Sequence, residues 1–574
     1  MMKNIQLHNS ISLWERFLDW NPQLFREIKG KLKTRNVVIA AAISTLVQFV
    51  VVISLLGELP APETKNGYFQ SIQSGRYGFG SGYGDRWTYT KDMFDNWVIN
   101  WQLLWLDLFI ALSIISIFAL LIVGTYMLVA DTVKEESRGT LNFIRLTPQS
   151  AGSILLGKIL GVPILLYVAM LLFLPLHFTA GLGARIPLTL ILSFYGVIVA
   201  SCAFFYSLAL LWSLMNFGSS FKPWLASGAM GLFLFSLTTA LFHHPRLISN
   251  TLWDWLLLFN PSIVLSYLID ATYLPQHQVD FLPVGNLGEL VFYGQAWWTK
   301  ASWGIGFVLF NLSLWIYWCW SVLKRRFHNP QHTLIGKSQS YWITGWIVAI
   351  ALGFTLQNTS SYRLTDNFIL LQFCLGIFGL GLIAALSPHR QALHDWARYR
   401  HQTSREGNVL WKELVFGENS PSTVAVAINL AIAIAYITPS ILLHLDRDRH
   451  YTLLGFILGA GSIILCAIAA QLILTMKTRK RSALSIITVA SMLIIPPLCL
   501  GIADIYPQNL PQAWLFSFIP TIATKYATTS AVLLTMLGQW LGVAVIGFQM
   551  TRKLQQAGAS ETKMLLDRTN SLND

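Results

Sequence analysis

The sequence predicts an all-α protein, a polytopic transmembrane helical bundle of about twelve spans with amino and carboxyl termini cytoplasmic. Three observations lead there. Of the 574 residues, 54% are hydrophobic and 12% charged, with a mean hydropathy of +0.53, whereas a soluble domain carries about 25% charged residues. The apolar residues come in runs close to the twenty needed to cross the hydrocarbon. Most of the 40 Lys and Arg fall in alternate connections between those runs. An ordinary soluble domain is thereby excluded. Disorder fails as well, because 22 Trp, 34 Phe and 19 Tyr require burial.

In chain order the expected spans are 36–57, 103–130, 153–180, 187–214, 225–243, 302–323, 341–357, 367–387, 423–444, 452–475, 483–503 and 527–550, with a short re-entrant helix fitting around Trp253 to Phe259. Placing the amino terminus inside puts most basic residues on the cytoplasmic side, as the positive-inside rule requires. The net charge of +13 is then a topology signal, and no nucleic acid partner is expected. Clusters such as Lys324, Arg325, Arg326 and Lys477, Arg479, Lys480, Arg481 fall where anionic lipid headgroups lie. The residues before the first span are too many and too charged for a cleavable signal, so that span is expected to remain as an anchor. Cys202, Cys319, Cys374, Cys466 and Cys499 fall inside spans without a CxxC pair and read as packing residues, so no metal site is expected.

The loop 58–102 contains Gly75, Gly78, Gly80, Gly82 and Gly84 but no G-x-G-x-x-G register, so it reads as a flexible external loop. Trp87, Trp97, Trp101, Trp105, Trp297, Trp298 and Trp303 suit an interfacial aromatic belt.

The sequence is also informative about energy. Ionisable groups in the spans are few: Asp107, Lys158, His177 and Lys525 near span ends. An ion-coupled carrier binds its ion near the midplane, usually with a carboxylate, and that pattern is missing. Gly336-Lys337-Ser338 has Gln331 where a phosphate-binding loop needs glycine, so the chain has no ATPase of its own. The histidines His243, His244, His328, His332, His389, His394 and His401, the last three near Asp395, match no zinc spacing, and no catalytic residue is assigned.

Between the second and third spans lies Asp131 to Ser150. Asp131 can cap a helix, Glu135 and Glu136 suit its positive end, and Arg145 suits its negative end. Thr147 precedes Pro148, where a helix should stop. Leu141, Ile144 and Arg138 share a face at helical spacing. Physics alone leaves two readings equal: an interfacial loop, or a short rigid helix that docks on a partner.

A resemblance favours the second. Glu135, Arg138-Gly139-Thr140-Leu141, Ile144 and Thr147-Pro148 resemble the Glu-x-x-Arg-Gly-Thr-Leu-x-x-Leu-x-x-Thr-Pro stretch of type-two ABC exporter permeases, which lies at the same place in that family. Ser137 stands where the family often has a second Glu, and Ile144 replaces Leu. The resemblance implies a coupling helix over 131–148 that inserts into an ATP-binding subunit, with ATP on that partner and no cofactor on this chain. Asn21-Pro22-Gln23-Leu24-Phe25-Arg26-Glu27-Ile28-Lys29-Gly30 resembles the family's amphipathic connecting helix. Its residues Pro22, Leu24, Arg26 and Glu27, with Phe25, Ile28 and Lys33, suit the inner membrane surface.

Leu24-Phe-Arg-Glu-Ile28 recurs as Leu410-Trp-Lys-Glu-Leu414, and Arg481-Ser-Ala-Leu484 weakly echoes Arg138-Gly-Thr-Leu141. The organisation expected from this is a connecting helix in 1–35, a first permease region over 36–323, a linker with two further spans over 324–404, a degenerate second permease-like region over 405–550 and a cytoplasmic tail over 551–574. The leading expectation is a permease subunit of an ABC exporter in the cell inner membrane, working with an ATP-binding subunit and with itself or a second permease as a dimer. The rivals are an ion-coupled secondary transporter, and a membrane enzyme acting on lipid or glycan through Asp85, Arg86 and Asp92.

Overall fold

Apolar runs of this length fold as helices because hydrocarbon offers the backbone no other hydrogen-bond partner. In the structure, a computed structural model, the described residues are 20–59, 76–81, 88–89, 92–94, 98–215, 222–243, 249–275, 278–279, 281, 287–330, 332–357, 361–402, 407–445, 448–478 and 480–570. Among them, eleven helices are long and apolar enough to cross a membrane, or twelve if the bent pair Leu252–Phe259 and Pro261–Asp270, which turns by 88°, counts as one span. A two-residue antiparallel ladder, Gly80–Ser81 with Thr88–Tyr89, accompanies them. The chain is an all-α, multi-pass membrane protein.

It divides into two compact units. The first runs to His328 without 249–255 and 291–296, and the second holds those two pieces and everything from Asn329. The first unit contains α1 (Pro22–Lys31), α2 (Thr34–Leu56), α3 (Trp101–Ser137), α4 (Thr140–Arg145), α5 (Ala151–Gly161), α6 (Ile164–Gly183), α7 (Leu188–Ser213), α8 (Lys222–His243) and α9 (Ala301–His328). The second contains α10 (Lys337–Thr355), α11 (Ser361–Leu386), α12 (Arg390–Gln402), α13 (Gly407–Phe416), α14 (Thr423–His444), α15 (Arg449–Leu474), α16 (Arg481–Ile502) and α17 (Thr529–Asn570).

Within the first unit α7 is central and packs on α3 and α9, while α2 packs on α3 and α6. Among α2's described residues only Ser44 is buried, and its hydroxyl donates to the Ala169 carbonyl at 2.8 Å. Val38, Ile43, Leu46, Phe49 and Ile53 face outward, where lipid rather than water is the solvent that suits them.

Three expectations change. The third span is two helices, because Pro163 cannot donate to the Ile159 carbonyl and the ladder breaks there. Tyr167 Oη donates to that carbonyl instead, at 2.9 Å. The segment 341–357 is helical as α10, but Ser338, Gln339, Ser340 and Thr344 leave it less apolar than the eleven. Finally, α17 runs unbroken to Asn570, past the expected membrane boundary at 550.

Candidate functional site

The candidate site is built around α1, the end of α3 and α5. Asn21 caps α1 by accepting from Leu24 N at 3.0 Å, and Pro22 occupies the first turn, where its missing N–H leaves nothing unpaired. Asn21 Nδ2 then donates to the Ser153 carbonyl of α5 at 2.8 Å. Close approach of α1 and α5 depends on two glycines. A Cβ on Gly157 would lie 2.7 Å from Asn21 Oδ1 and 2.9 Å from Leu24 N, and one on Gly161 would lie 2.5 Å from the Glu27 Cβ. Leu24 and Glu27 are accordingly buried, while Arg26 is exposed.

Charges bind these helices to α3. Lys158 of α5, only 1% exposed, places Nζ 2.8 Å from Asp131 and 2.6 Å from Glu135. Arg26 reaches the other Glu135 oxygen at 2.8 Å, and Lys31 pairs with Glu27 at 3.0 Å. Asp131 and Glu135 together offset the cost of burying the Lys158 ammonium. Oxygens of Glu27, Asp131 and Glu135 lie within 4.8 Å of one another. Lys158, Lys31 and Arg26 already occupy the positions a cation would take, so this is an ion-pair clamp.

The sequence expectation of one helix over 131–148 is corrected. Asp131 is no cap; it lies inside α3, which continues unbroken from the span to Ser137. The chain turns at Gly139, whose φ of +72° is the left-handed conformation that favours glycine, and α4 follows for six residues. Thr140 Oγ1 donates back to the Glu135 carbonyl at 3.1 Å, and Thr147 Oγ1 to the Ile144 carbonyl at 2.7 Å before Pro148.

Leu141 and Ile144 do share a face, but it turns inward, into a cluster with Leu128, Ile154, Leu155, Leu210, Leu323 and Phe327. The outward apolar side chains are Phe143 and Leu146, 74% and 85% exposed, together with exposed Arg138. The sequence reading passed over both. Their signal was available: they sit two positions from Leu141 and Ile144, on the opposite face of a one-turn helix.

The other charged candidates are engaged or undescribed. Asp107 is 2.6 Å from Arg76 Nε and accepts from Tyr77 Oη at 3.1 Å. His177 bonds Ser113 Oγ at 2.8 Å and Tyr195 Oη at 2.7 Å. Lys525 pairs with Asp448 at 3.3 Å. Lys337, of the Gly-Lys-Ser triplet, is buried, donating to the Leu414 and Pro421 carbonyls and to Ser420 Oγ. Asp92 caps a turn at Phe94 N. Asp85, Arg86, Trp87, Trp97, Gly75, Gly82, Gly84, His244, Gln331 and Arg479 lie outside the described residues, as do the side chains of His243 and His401. Comparison with family models, curated proteins and solved structures finds no match.

Proposed function

We propose that this chain is the permease subunit of an ABC-type exporter of the cell inner membrane, moved by a separate ATP-binding subunit that docks on the turn 138–148. The observation that carries the reading is the pairing of an exposed apolar tip with a rigid mount. Phe143 and Leu146 project from a segment outside the spans, while Leu141 and Ile144 root the same helix in the bundle. An isolated loop needs no such root, and two large exposed apolar side chains beside Arg138 suit a protein cleft. The ion-pair clamp ties α3, α1 and α5 together, so force on α4 passes directly into a helix that crosses the bilayer.

The chemistry of ATP belongs to the partner. This chain's part is to bind that subunit, transmit its movement through α3 and change the packing of the bundle. An ion-coupled carrier is less well supported, because Asp107, Lys158 and Lys525 each have a charged partner.

The test is retention of an ATP-binding subunit by the full-length chain purified from its native membrane, detected by 8-azido-ATP photolabelling. Phe143→Asp and Gly139→Pro should each lower the amount of labelled subunit retained while membrane insertion stays normal. Undiminished labelling with both variants would overturn the proposal.

A further inference from the structure

The bent pair after α8 has a second copy. Trp255-Leu-x-x-Phe259-x-Pro261-Ser-Ile263-x-x-x-Tyr267 recurs as Trp514-Leu-x-x-Phe518-x-Pro520-Thr-Ile522-x-x-x-Tyr526, with 259 residues between each pair. The same separation relates α8 to α16, both 22 residues long and both starting on a cation, Lys222 and Arg481. Two buried positions coincide: Met230 with Val489, and Leu234 with Leu493. One helix earlier, α7 and α15 are both 26 residues long.

Packing inside each unit follows the same register except at one helix: α8 packs mainly on α3, whereas α16 packs on α15. In the first, α7 packs on α9, α3 and the turn at Pro261–Val264, and α2 packs on α3 and α6. In the second, α15 packs on α17, α11 and the turn at Thr521–Thr524, and α10 packs on α11 and α14. The second unit therefore repeats the first from α10 onward.

This register differs from the one suggested by Leu24–Ile28 and Leu410–Leu414. The counterpart of 138–148 is no longer 477–484 but the segment 387–422, between α11 and α14. Details agree. Thr147-Pro148-Gln149-Ser150 precedes α5, and Ser420-Pro421-Ser422-Thr423 leads into α14. Lys222 lies 3.9 Å from Glu136 at the end of α3, and Arg481 Nη2 lies 3.3 Å from His389 just after α11. A buried lysine stands beside each segment: Lys158 grips the end of α3 that leads into the first, while Lys337 binds Leu414, Ser420 and Pro421 of the second. The second segment is also fastened by Trp396 Nε1 donating to Glu413 and Tyr341 Oη to the Val415 carbonyl. Like Phe143 and Leu146, Trp411 and Phe416 stand exposed on it.

We infer that 410–422, the part of this segment that carries Trp411 and Phe416, is a second docking surface for the same kind of ATP-binding subunit, so that a single chain carries both contacts of a permease pair. The inference rests on the reading of 138–148 given above, because the duplication assigns to the second segment whatever partner the first one binds.

The experiment counts subunits. The full-length chain is purified with the subunit it retains, which is identified by 8-azido-ATP labelling, and the complex is weighed by native mass spectrometry. Two ATP-binding subunits per chain are expected, falling to one with Trp411→Asp, to one with Phe143→Asp and to none with both. Phe416→Asp serves in place of Trp411→Asp if the latter elutes as aggregate. One subunit on the wild-type chain, lost with Phe143→Asp alone, would overturn the second surface and leave the first intact. No labelled subunit on the wild-type chain would overturn the reading on which this rests.

Discussion

Replacing Lys158 with methionine tests whether the clamp is structural. Its ammonium is buried between Asp131 and Glu135, which are themselves 23% and 14% exposed. Removing it leaves those carboxylates beside Glu27 with only Lys31 and Arg26 to balance them. Breaking a buried pair by deleting one partner destabilises by about 3–5 kcal/mol. Residual hydration of both acids and the two remaining cations put the expectation at the lower end, about 3 kcal/mol. Arg26→Ala deletes a contact of the same 2.8 Å length, but that guanidinium is 51% exposed, so its loss should amount to no more than about 1 kcal/mol. The assay is equilibrium unfolding of the detergent-solubilised chain followed by circular dichroism. Adding Glu135→Gln to Lys158→Met should recover part of the loss, since it removes one of the abandoned charges. A Lys158→Met effect no larger than that of Arg26→Ala would refute the reasoning.

Other expectations follow from single contacts. Gly139→Ala meets no atom within 4 Å but must hold φ near +72°, so unfolding should show a loss of about 1 kcal/mol, from backbone strain alone. Gly161→Val should displace α1, because even its Cβ would lie 2.5 Å from the Glu27 Cβ; limited trypsin digestion should then cut faster at Arg26 and Lys29, and unchanged digestion would count against the packing described. Tyr167→Phe leaves the Ile159 carbonyl without the donor that replaces Pro163, and should destabilise by about 1–3 kcal/mol in the same unfolding assay.

The helices were legible because hydrocarbon imposes one solution on an apolar run, and composition alone announces it. The site was legible only in part. Glu135, Gly139 and Pro148 stood out through a linear motif, and Gly139 indeed makes the turn. The clamp was hidden because its members are far apart in sequence: Lys158 looked like a stray charge near a span end, Asp131 like a helix cap, and Glu135 like an acid suited to the positive end of a helix. Helical periodicity found the face carrying Leu141 and Ile144, but periodicity does not say which side of a helix is buried. In a chain whose lipid-facing residues are as apolar as its core, hydrophobicity cannot decide that question either. The duplication was expected in a different register for a related reason. The short match at Leu410–Leu414 resembled the start of a span, whereas the register inferred above rests on the spacing of helices and on a proline-centred turn near the far end.

The same arrangement explains why α4 can be so short. A six-residue helix has no stability of its own, since nucleation alone is unfavourable and only one turn follows it. Its rigidity must therefore come from tertiary contacts. Leu141 and Ile144 supply these by packing among side chains from α3, α5, α7 and α9 at once. Any displacement of Phe143 and Leu146 that keeps α4 intact must carry that cluster with it, because close-packed interiors shift between discrete packings rather than stretch. The ion-pair clamp closes the remaining escape, a hinge at the end of α3, by holding Asp131 and Glu135 against α5. Weakening the clamp while leaving the tip untouched should therefore uncouple partner binding from movement: Lys158→Met should retain the photolabelled subunit but lose its ATP-dependent change in protease sensitivity, and a variant that kept both would show that force travels by another path.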